Sequence, residues 1–418
     1  MKHIHKRFPR EQVKIFLAAY TRGRMTRKEV EEELDIGKTR FFALLKRYRK
    51  DPMAFSVSYH RFTPSKLPDQ ISIAIEQGLL FEKELIRNPD IPLTTYNYSA
   101  LRDRLKEKQE IDVSLTTIIR KAKELDCYRP KRKRAIHDRE VLTTAIGALI
   151  QHDSSDHQWS PYAHSKWKLI TSLDDFSRML LYADFVSSET TWTHMEAVRD
   201  LAQTYGYPLR YYVDQLRVFR FVQGRDSIWR KHILQTDDVD PQWRKMMRIL
   251  GVDVIYALSP QAKGKIERPY RWLQDRIVRT CALENITTIN DARTILKQEV
   301  QRYNMRQVHS ATGEIPVIRF AKAKQEGNSL FRPFSIPKPY ESVRDIFCLR
   351  EKRTVNAYHK VSLFNQEIFV PKVPLREEVD ILMALDTTKE IVDLRFWWNN
   401  QLVHTATYPI KDFPVVHF

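Results

Sequence analysis

Ser259-Pro-Gln-Ala-Lys-Gly264 runs straight into Lys265-Ile-Glu267-Arg-Pro-Tyr-Arg-Trp-Leu-Gln-Asp275, and the reading of this join decides the fold. The turn-forming residues end where a basic amphipathic stretch begins, so a long helix is predicted from about Lys265 to Ala282. Pro269 would fall in its first turn, where a missing N–H costs little. The helix then carries one carboxylate, Glu267, at its head, flanked by Lys263, Lys265, Arg268 and Arg271, cations suited to DNA phosphates.

Two further carboxylates lie upstream, each at the end of an apolar run. Asp214 closes Leu209-Arg-Tyr-Tyr-Val-Asp214, and Asp153 follows Ala148-Leu-Ile-Gln-His; Asp153 is preferred over Asp156 because it nearly ends its strand. Two strand-end aspartates and a helical glutamate are the pattern of enzymes that cut and rejoin phosphodiesters with two divalent cations. Two Mg²⁺ ions about 3.5 to 4 Å apart can activate the attacking oxygen and stabilise the leaving one. Such hard cations need oxygen ligands, and without them three clustered carboxylates would repel one another. The expected cofactor is therefore Mg²⁺ or Mn²⁺, two ions, held by Asp153, Asp214 and Glu267. Asp174 and Asp175 are expected to fix the Ser177-Arg178 turn instead of binding metal.

Composition points to a polyanionic partner. The 418 residues carry a formal charge of +18, concentrated in residues 1–50 (net +9) and 128–139 (net +5). No apolar run reaches the roughly 18 residues of a membrane span, and Met1 to Arg7 leads into no signal-peptide core, so a cytoplasmic protein, nucleoid-associated when bound to DNA, is expected. Cys127, Cys281 and Cys348 stand far apart and are read as free thiols.

Residues 1–50 read as three short helices, Pro9–Tyr20, Thr26–Leu34 with a capping box at Thr26-Arg-Lys-Glu29, and Lys38–Arg49. This is a helix-turn-helix pattern whose last helix would present Lys38, Arg40, Lys46 and Arg47 to a major groove. Residues 51–139 hold a linker to about Pro68 and a second helical DNA-binding module, Tyr98–Glu107 and Ser114–Leu125, with Arg120 and Lys121 exposed. The Lys131, Arg132, Lys133, Arg134 run behind it is suited to phosphates. Over residues 140–325, strand-length runs at 145–151, 168–173, 179–185, 209–213 and 252–257 alternate with helical stretches at 190–204 and 242–250, predicting a mixed sheet flanked by helices. Short strands over residues 340–418 suggest a small β-barrel.

His152-Asp153-Ser-Ser-Asp-His157-Gln-Trp159, Ser172-Leu-Asp-Asp-Phe-Ser-Arg178, Tyr212-Val-Asp214 with Val218-Phe219-Arg220, and Ser259 to Arg268 resemble the integrase-core region of DDE transposases, nearest to the ISNCY group of bacterial insertion sequences. The resemblance implies an α/β fold: a ribonuclease-H-like catalytic core with N-terminal helix-turn-helix modules and a C-terminal small β-barrel. It places the family's acidic triad on Asp153, Asp214 and Glu267. It also implies double-stranded DNA partners, the element ends and target, and a homo-oligomer assembled on them. The 53 residues from Asp214 to Glu267 exceed the interval of many integrase-core relatives, with the extra length expected near Arg225 to Asp240. A non-catalytic DNA-binding regulator and a metal-dependent nuclease are the competing expectations.

Overall fold

The computed structural model describes residues 4, 7–57, 67–130, 143–214, 242–257, 264–364 and 366–413, with the side chains of 264–268 excepted. The chain forms two compact units, Met1–Ser72 and Ile73–Phe418.

In the first unit three helices, α1 (Arg10–Thr21), α2 (Arg27–Glu33) and α3 (Lys38–Lys50), enclose Val13, Leu17, Val30, Leu34, Phe41, Leu44 and Leu45. The predicted capping box is present, with Thr26 Oγ1 accepting from the Glu29 N–H and Glu29 accepting from the Thr26 N–H. Because the apolar positions of α3 face inward, Lys38, Lys46 and Arg47 are exposed and Arg40 is half-buried.

Helix α4 (Asp69–Arg87) runs through the boundary at Ser72, and the second unit continues with α5 (Tyr98–Gln109) and α6 (Leu115–Glu124). The sequence reading anticipated α5 and α6, with Ser114 capping α6 as expected, but not the 19-residue α4. Arg120 and Lys121 both lie within ion-pair reach of Glu124, at 3.9 and 3.4 Å.

A five-stranded mixed sheet follows: β1 (Ile150–His157), β2 (Trp167–Asp174), β3 (Leu180–Val186), β4 (Arg210–Val213) and β5 (Asp253–Tyr256), in the order β3-β2-β1-β4-β5. The first three strands pair antiparallel, while β1, β4 and β5 are mutually parallel. The interior strand β2 is buried along nearly its whole length, its polar Thr171 and Asp174 held by hydrogen bonds to Tyr270 and Ser177. One face is covered by α7 (Thr191–Tyr205) and α8 (Gln242–Ile249), through Trp192, Met195, Val198, Trp243 and Met246 against Ile150, Tyr211 and Val213. The other is covered by α9 (Gly264–Leu283) and α10 (Ile289–Arg306), through Leu273, Ile277, Ile295 and Tyr303 against Leu169, Leu173 and Phe185. This strand order and these directions are those of a ribonuclease-H-like core.

Two local expectations need correction. The first strand begins at Ile150, not near residue 145, so Asp153 stands inside β1 and not near its end. Ala145 to Leu149 are apolar for another reason: Ile146 packs against Phe320 and Ala323 of α11 (Pro316–Gln325) and bridges Ser329. Helix α9 begins at Gly264, which makes Pro269 its sixth residue, past the first turn, where proline removes the helical bond to residue 265.

Beyond α12 (Val343–Ile346), β6 (Leu349–Thr354), β9 (Glu378–Asp386), β10 (Ile391–Trp398) and β11 (Gln401–Pro409) form an antiparallel sheet ordered β11-β10-β9-β6, and β7 (Lys360–Leu363) pairs with β8 (Gln366–Phe369). Val361, Leu363, Ile368, Val379, Ile381 and Val392 join the core beneath α7 and α8. Among the described residues, the recorded pairings form two separate sheets and do not include the closure that a barrel requires. Cys127, Cys281 and Cys348 are buried free thiols, as read from their spacing. Among the described residues no helix is long and apolar enough to cross a membrane.

Candidate active site

The strand register brings the two aspartates side by side. Strand β1 pairs with β4 at Ile150↔Tyr211 and Gln151↔Tyr212, and continuing that parallel register by two residues sets Asp153 level with Asp214, just past the end of β4. Both point to the face opposite Ile150, Tyr211 and Val213, because side chains alternate along a strand. That is the face of α9.

Helix α9 answers with Tyr270. Across the β1–β2 ladder Asp153 pairs with Thr171, and Thr171 Oγ1 donates a 2.8 Å hydrogen bond to the Tyr270 phenol oxygen. The phenol is held well above its ordinary pKa, first by burial and then by the negative charges of Asp153, Glu189 and Asp214, with the Thr171 bond opposing them. One buried hydroxyl thus feels the charge of both aspartates. One turn farther along α9, Gln274 donates to Ser155 Oγ at 3.2 Å, two residues beyond Asp153 on the same face of β1. Positions 267, 270 and 274 form one stripe of the helix, and Glu267 stands one turn upstream of Tyr270. The Glu267 side chain lies outside the described residues.

Asp156 occupies a different environment. It is exposed on the other face of β1 and bonded to Lys168, which holds its carboxyl below the usual range. Asp174 and Asp175 fix the turn as expected. Asp174 accepts from the Ser177 N–H and Oγ at 2.8 and 2.6 Å and from the Gly147 N–H at 2.9 Å, while Asp175 pairs with Arg178 at 3.0 Å. Arg178 adopts a left-handed φ of 66° to make that turn.

Behind Asp153 lies a polar relay that sequence reading missed. His152, next to Asp153 but on the opposite face, bonds Ser172 Oγ through Nδ1 at 2.9 Å and His194 Nδ1 through Nε2 at 2.9 Å. His194 Nε2 meets Glu189 at 2.9 Å, and Ser154 Oγ donates to the same carboxylate at 2.6 Å. Burial pushes the Glu189 carboxyl up, but the His194 and Ser154 hydrogen bonds outweigh it and the net shift is downward. With Glu189 ionised, one assignment satisfies the chain with neutral imidazoles: Ser172 donates to His152, His152 to His194, and His194 to Glu189. Trp243 stacks on His152 at 6.2 Å and 12°, sealing the relay from water. The available signal was the polar composition of β1, Ile-Gln-His-Asp-Ser-Ser-Asp-His, which a buried strand tolerates only if partners wait on neighbouring elements.

The expected DNA-contacting residues divide as follows. Lys38, Arg40, Lys46 and Arg47 lie on α3, Arg120 and Lys121 on α6, and Arg271 is exposed on α9. Lys131, Arg132, Lys133, Arg134 and Lys263 lie outside the described residues, as do the side chains of Lys265 and Arg268 and the expected insertion near 225–240. Among the described residues no three His, Cys, Asp or Glu side chains form a metal-sized group.

The sheet, with Asp153 and Asp214 level on the face of α9, has the architecture of a ribonuclease-H-like core. No family model matches the chain. It is similar to the putative transposase y4bF of Sinorhizobium fredii, 29% identical over 240 residues covering 57% of this chain and 48% of that protein. It is also similar to the transposase for insertion sequence IS1202 of Streptococcus pneumoniae, 24% identical over 254 residues, 59% of this chain and 52% of that protein. The chain spans about half the length of these curated relatives. Among solved structures it is similar to the HTLV-2 integrase catalytic core domain in complex with magnesium, at 14% identity and a TM-score of 0.31 over 44% of this chain and 99% of that one. The resemblance to transposases read from the sequence is borne out by these named relatives.

Proposed function

We propose that the protein is a DDE-type transposase that hydrolyses a phosphodiester at the ends of its element and transfers the resulting 3′-hydroxyl to a target strand. The β1–β4 register that sets Asp153 level with Asp214 on the face of α9, with Glu267 one turn upstream of Tyr270, carries this reading. Two half-buried carboxylates offer hard oxygen donors, so Asp153, Asp214 and Glu267 fit Mg²⁺ or Mn²⁺ as ligands. A bound pair of such ions would activate the attacking oxygen and stabilise the leaving one.

The chain's own groups supply position. The sheet holds both aspartates on a rigid surface, and the Thr171–Tyr270 bond fixes α9 against them. Tyr270 stays protonated and adds no charge beside the two aspartates. Arg271, with Lys263, Lys265 and Arg268, would hold the DNA backbone beside the scissile bond. Helix α3 would enter a major groove through Lys38, Arg40, Lys46 and Arg47, and Arg120, Lys121 and Lys131 to Arg134 would hold phosphates. Assembly of several copies on paired ends in the cytoplasm belongs to the same proposal.

The test is incubation with DNA carrying the gene's flanking segments in Mg²⁺ or Mn²⁺, comparing wild type with Asp153→Asn, Asp214→Asn and Glu267→Gln. Metal-dependent nicks and joined products that vanish in all three variants support the reading. Nicks without joined products would reduce it to a nuclease. Binding without cleavage under either metal would count against catalysis.

A further inference from the structure

A small hollow of about 210 Å³ lies where the end of α4, the start of α5 and the segment after α6 meet, lined by Lys83, Arg87, Tyr96, Asp126, Tyr128 and Arg129. Its location is a product of local structure. Asp126 turns the chain with a left-handed φ of 53°, and the Tyr98 phenol then pins the returning segment, donating to the Cys127 carbonyl at 2.9 Å and accepting from the Arg129 N–H at 3.3 Å. The pinning lines up three rings. Tyr96 and Tyr98 stack at 5.9 Å and 11°, and Tyr98 and Tyr128 at 6.2 Å and 21°. The outer ring, Tyr128, is 39% exposed, with Lys123 Nζ 4.9 Å from its centroid.

The charge around this wall is unbalanced. Three cations, Lys83, Arg87 and Arg129, share the hollow with one carboxylate, Asp126, and none of the three forms an ion pair among the described residues. The neighbouring arginines are engaged: Arg276 with Asp103 at 2.8 Å, Arg279 with Glu82 and Asp275, and Arg302 and Arg306 with Glu107. Uncompensated cations beside an aromatic wall fit a ligand that is both flat and anionic. The volume is below the ~300–1,000 Å³ of pockets for drug-sized ligands, which limits the occupant to a group about the size of one base.

We infer that this hollow receives a single unpaired nucleotide of a DNA strand, its base against the exposed outer ring, Tyr128, and its phosphate between Lys83, Arg87 and Arg129. Asp126 supplies an acceptor for an exocyclic amino group or imino N–H of the base. A paired base is stacked within its duplex and presents no free face, so the hollow selects frayed ends or displaced strands. The inference rests on DNA being the partner, as proposed above, but needs no cleavage.

The experiment uses the full chain and a four-nucleotide single strand containing 2-aminopurine, in EDTA, with fluorescence quenching as the readout. Wild type should quench saturably. Tyr128→Ala should weaken binding by about tenfold, within the range for losing one base–aromatic stack, whereas Tyr128→Phe keeps wild-type affinity. Arg129→Gln should weaken binding and flatten its salt dependence. Tyr128 and Arg129 are exposed, and unchanged melting curves would confirm that the variants fold. Wild-type affinity in both Tyr128→Ala and Arg129→Gln overturns the inference, as does absence of quenching by the wild-type chain. Asp214→Asn should quench like wild type; a failure of the catalytic reading is thereby told apart from a failure of this one.

Discussion

Thr171 and Tyr270 are joined by a buried 2.8 Å hydrogen bond that ties the interior strand β2 to the helix carrying Glu267. Removing either hydroxyl leaves a buried partner without this bond, at a cost of about 1–3 kcal/mol. Tyr270→Phe and Thr171→Val should each lower the urea midpoint, and the double variant should lose less than the two combined. Additive losses would show that the two hydroxyls act independently.

His194→Leu breaks the relay in the middle. It leaves the His152 Nε2–H and the Glu189 carboxylate each short of a partner within a nearly dry site. A loss of about 1–3 kcal/mol is expected in equilibrium unfolding, since the buried His152 N–H loses its acceptor while Glu189 keeps the Ser154 hydrogen bond. His194→Gln, which keeps a donor, should lose less.

Glu189 gives this relay a pH dependence of known sign. Its folded pKa lies below the ordinary glutamate value of 4.5, so its contribution is fully present above that value and is lost as pH falls through the folded pKa. The stability gap between wild type and Glu189→Gln should therefore be widest at neutral pH and narrow below about pH 4.5. Denaturation at pH 7, 5, 4 and 3 measures it, and a gap that widens on acidification would reverse the assignment.

Arg279 and Glu82 form an ion pair in which both side chains are 2% exposed. Burial pushes the Glu82 carboxyl up, and the guanidinium only partly offsets it. Arg279→Met alone should cost about 3–5 kcal/mol by stranding a buried carboxyl, whereas adding Glu82→Leu should restore much of that loss. Thermal melts of the two variants decide the matter.

Gly206 ends α7 at a left-handed φ of 97°, and a Cβ there would stand 2.2 Å from the Arg332 carbonyl oxygen. The neighbouring Tyr207 exchanges backbone hydrogen bonds with Arg332 at 2.8 Å in both directions, so the backbone has little room to yield. Gly206→Ala should lower the melting temperature by several degrees, corresponding to more than about 1 kcal/mol.

Legibility followed locality. Helices α1 to α3 emerged within a residue or two of their predicted ends because caps and apolar spacing are written in neighbouring residues. Asp214 was placed correctly at a strand end for the same reason. Strand β1 was misplaced because its own residues are polar; Gln151, His152 and Asp156 find Asp175, His194 and Lys168 only once the sheet is assembled. The apolar run before it belongs to α11. The relay escaped notice because His194 and Glu189 lie far along the chain from His152, and α4 because its short apolar runs were not read at helical spacing.

The ion pairs along α9 bear on how this protein could be taken apart. Arg276 and Arg279 find their carboxylates on α4 and α5, while Leu85, Ile91 and Leu93 cover Val278 and Ala282. A fragment beginning at residue 140 would keep every strand of the sheet yet bare two guanidinium groups and an oily stripe on the very helix that carries Glu267. Recombination that swapped the upstream helices for foreign ones would have to bring matching acids at both positions. The sheet with its two aspartates and the helices before it are therefore bound to be inherited as one cassette.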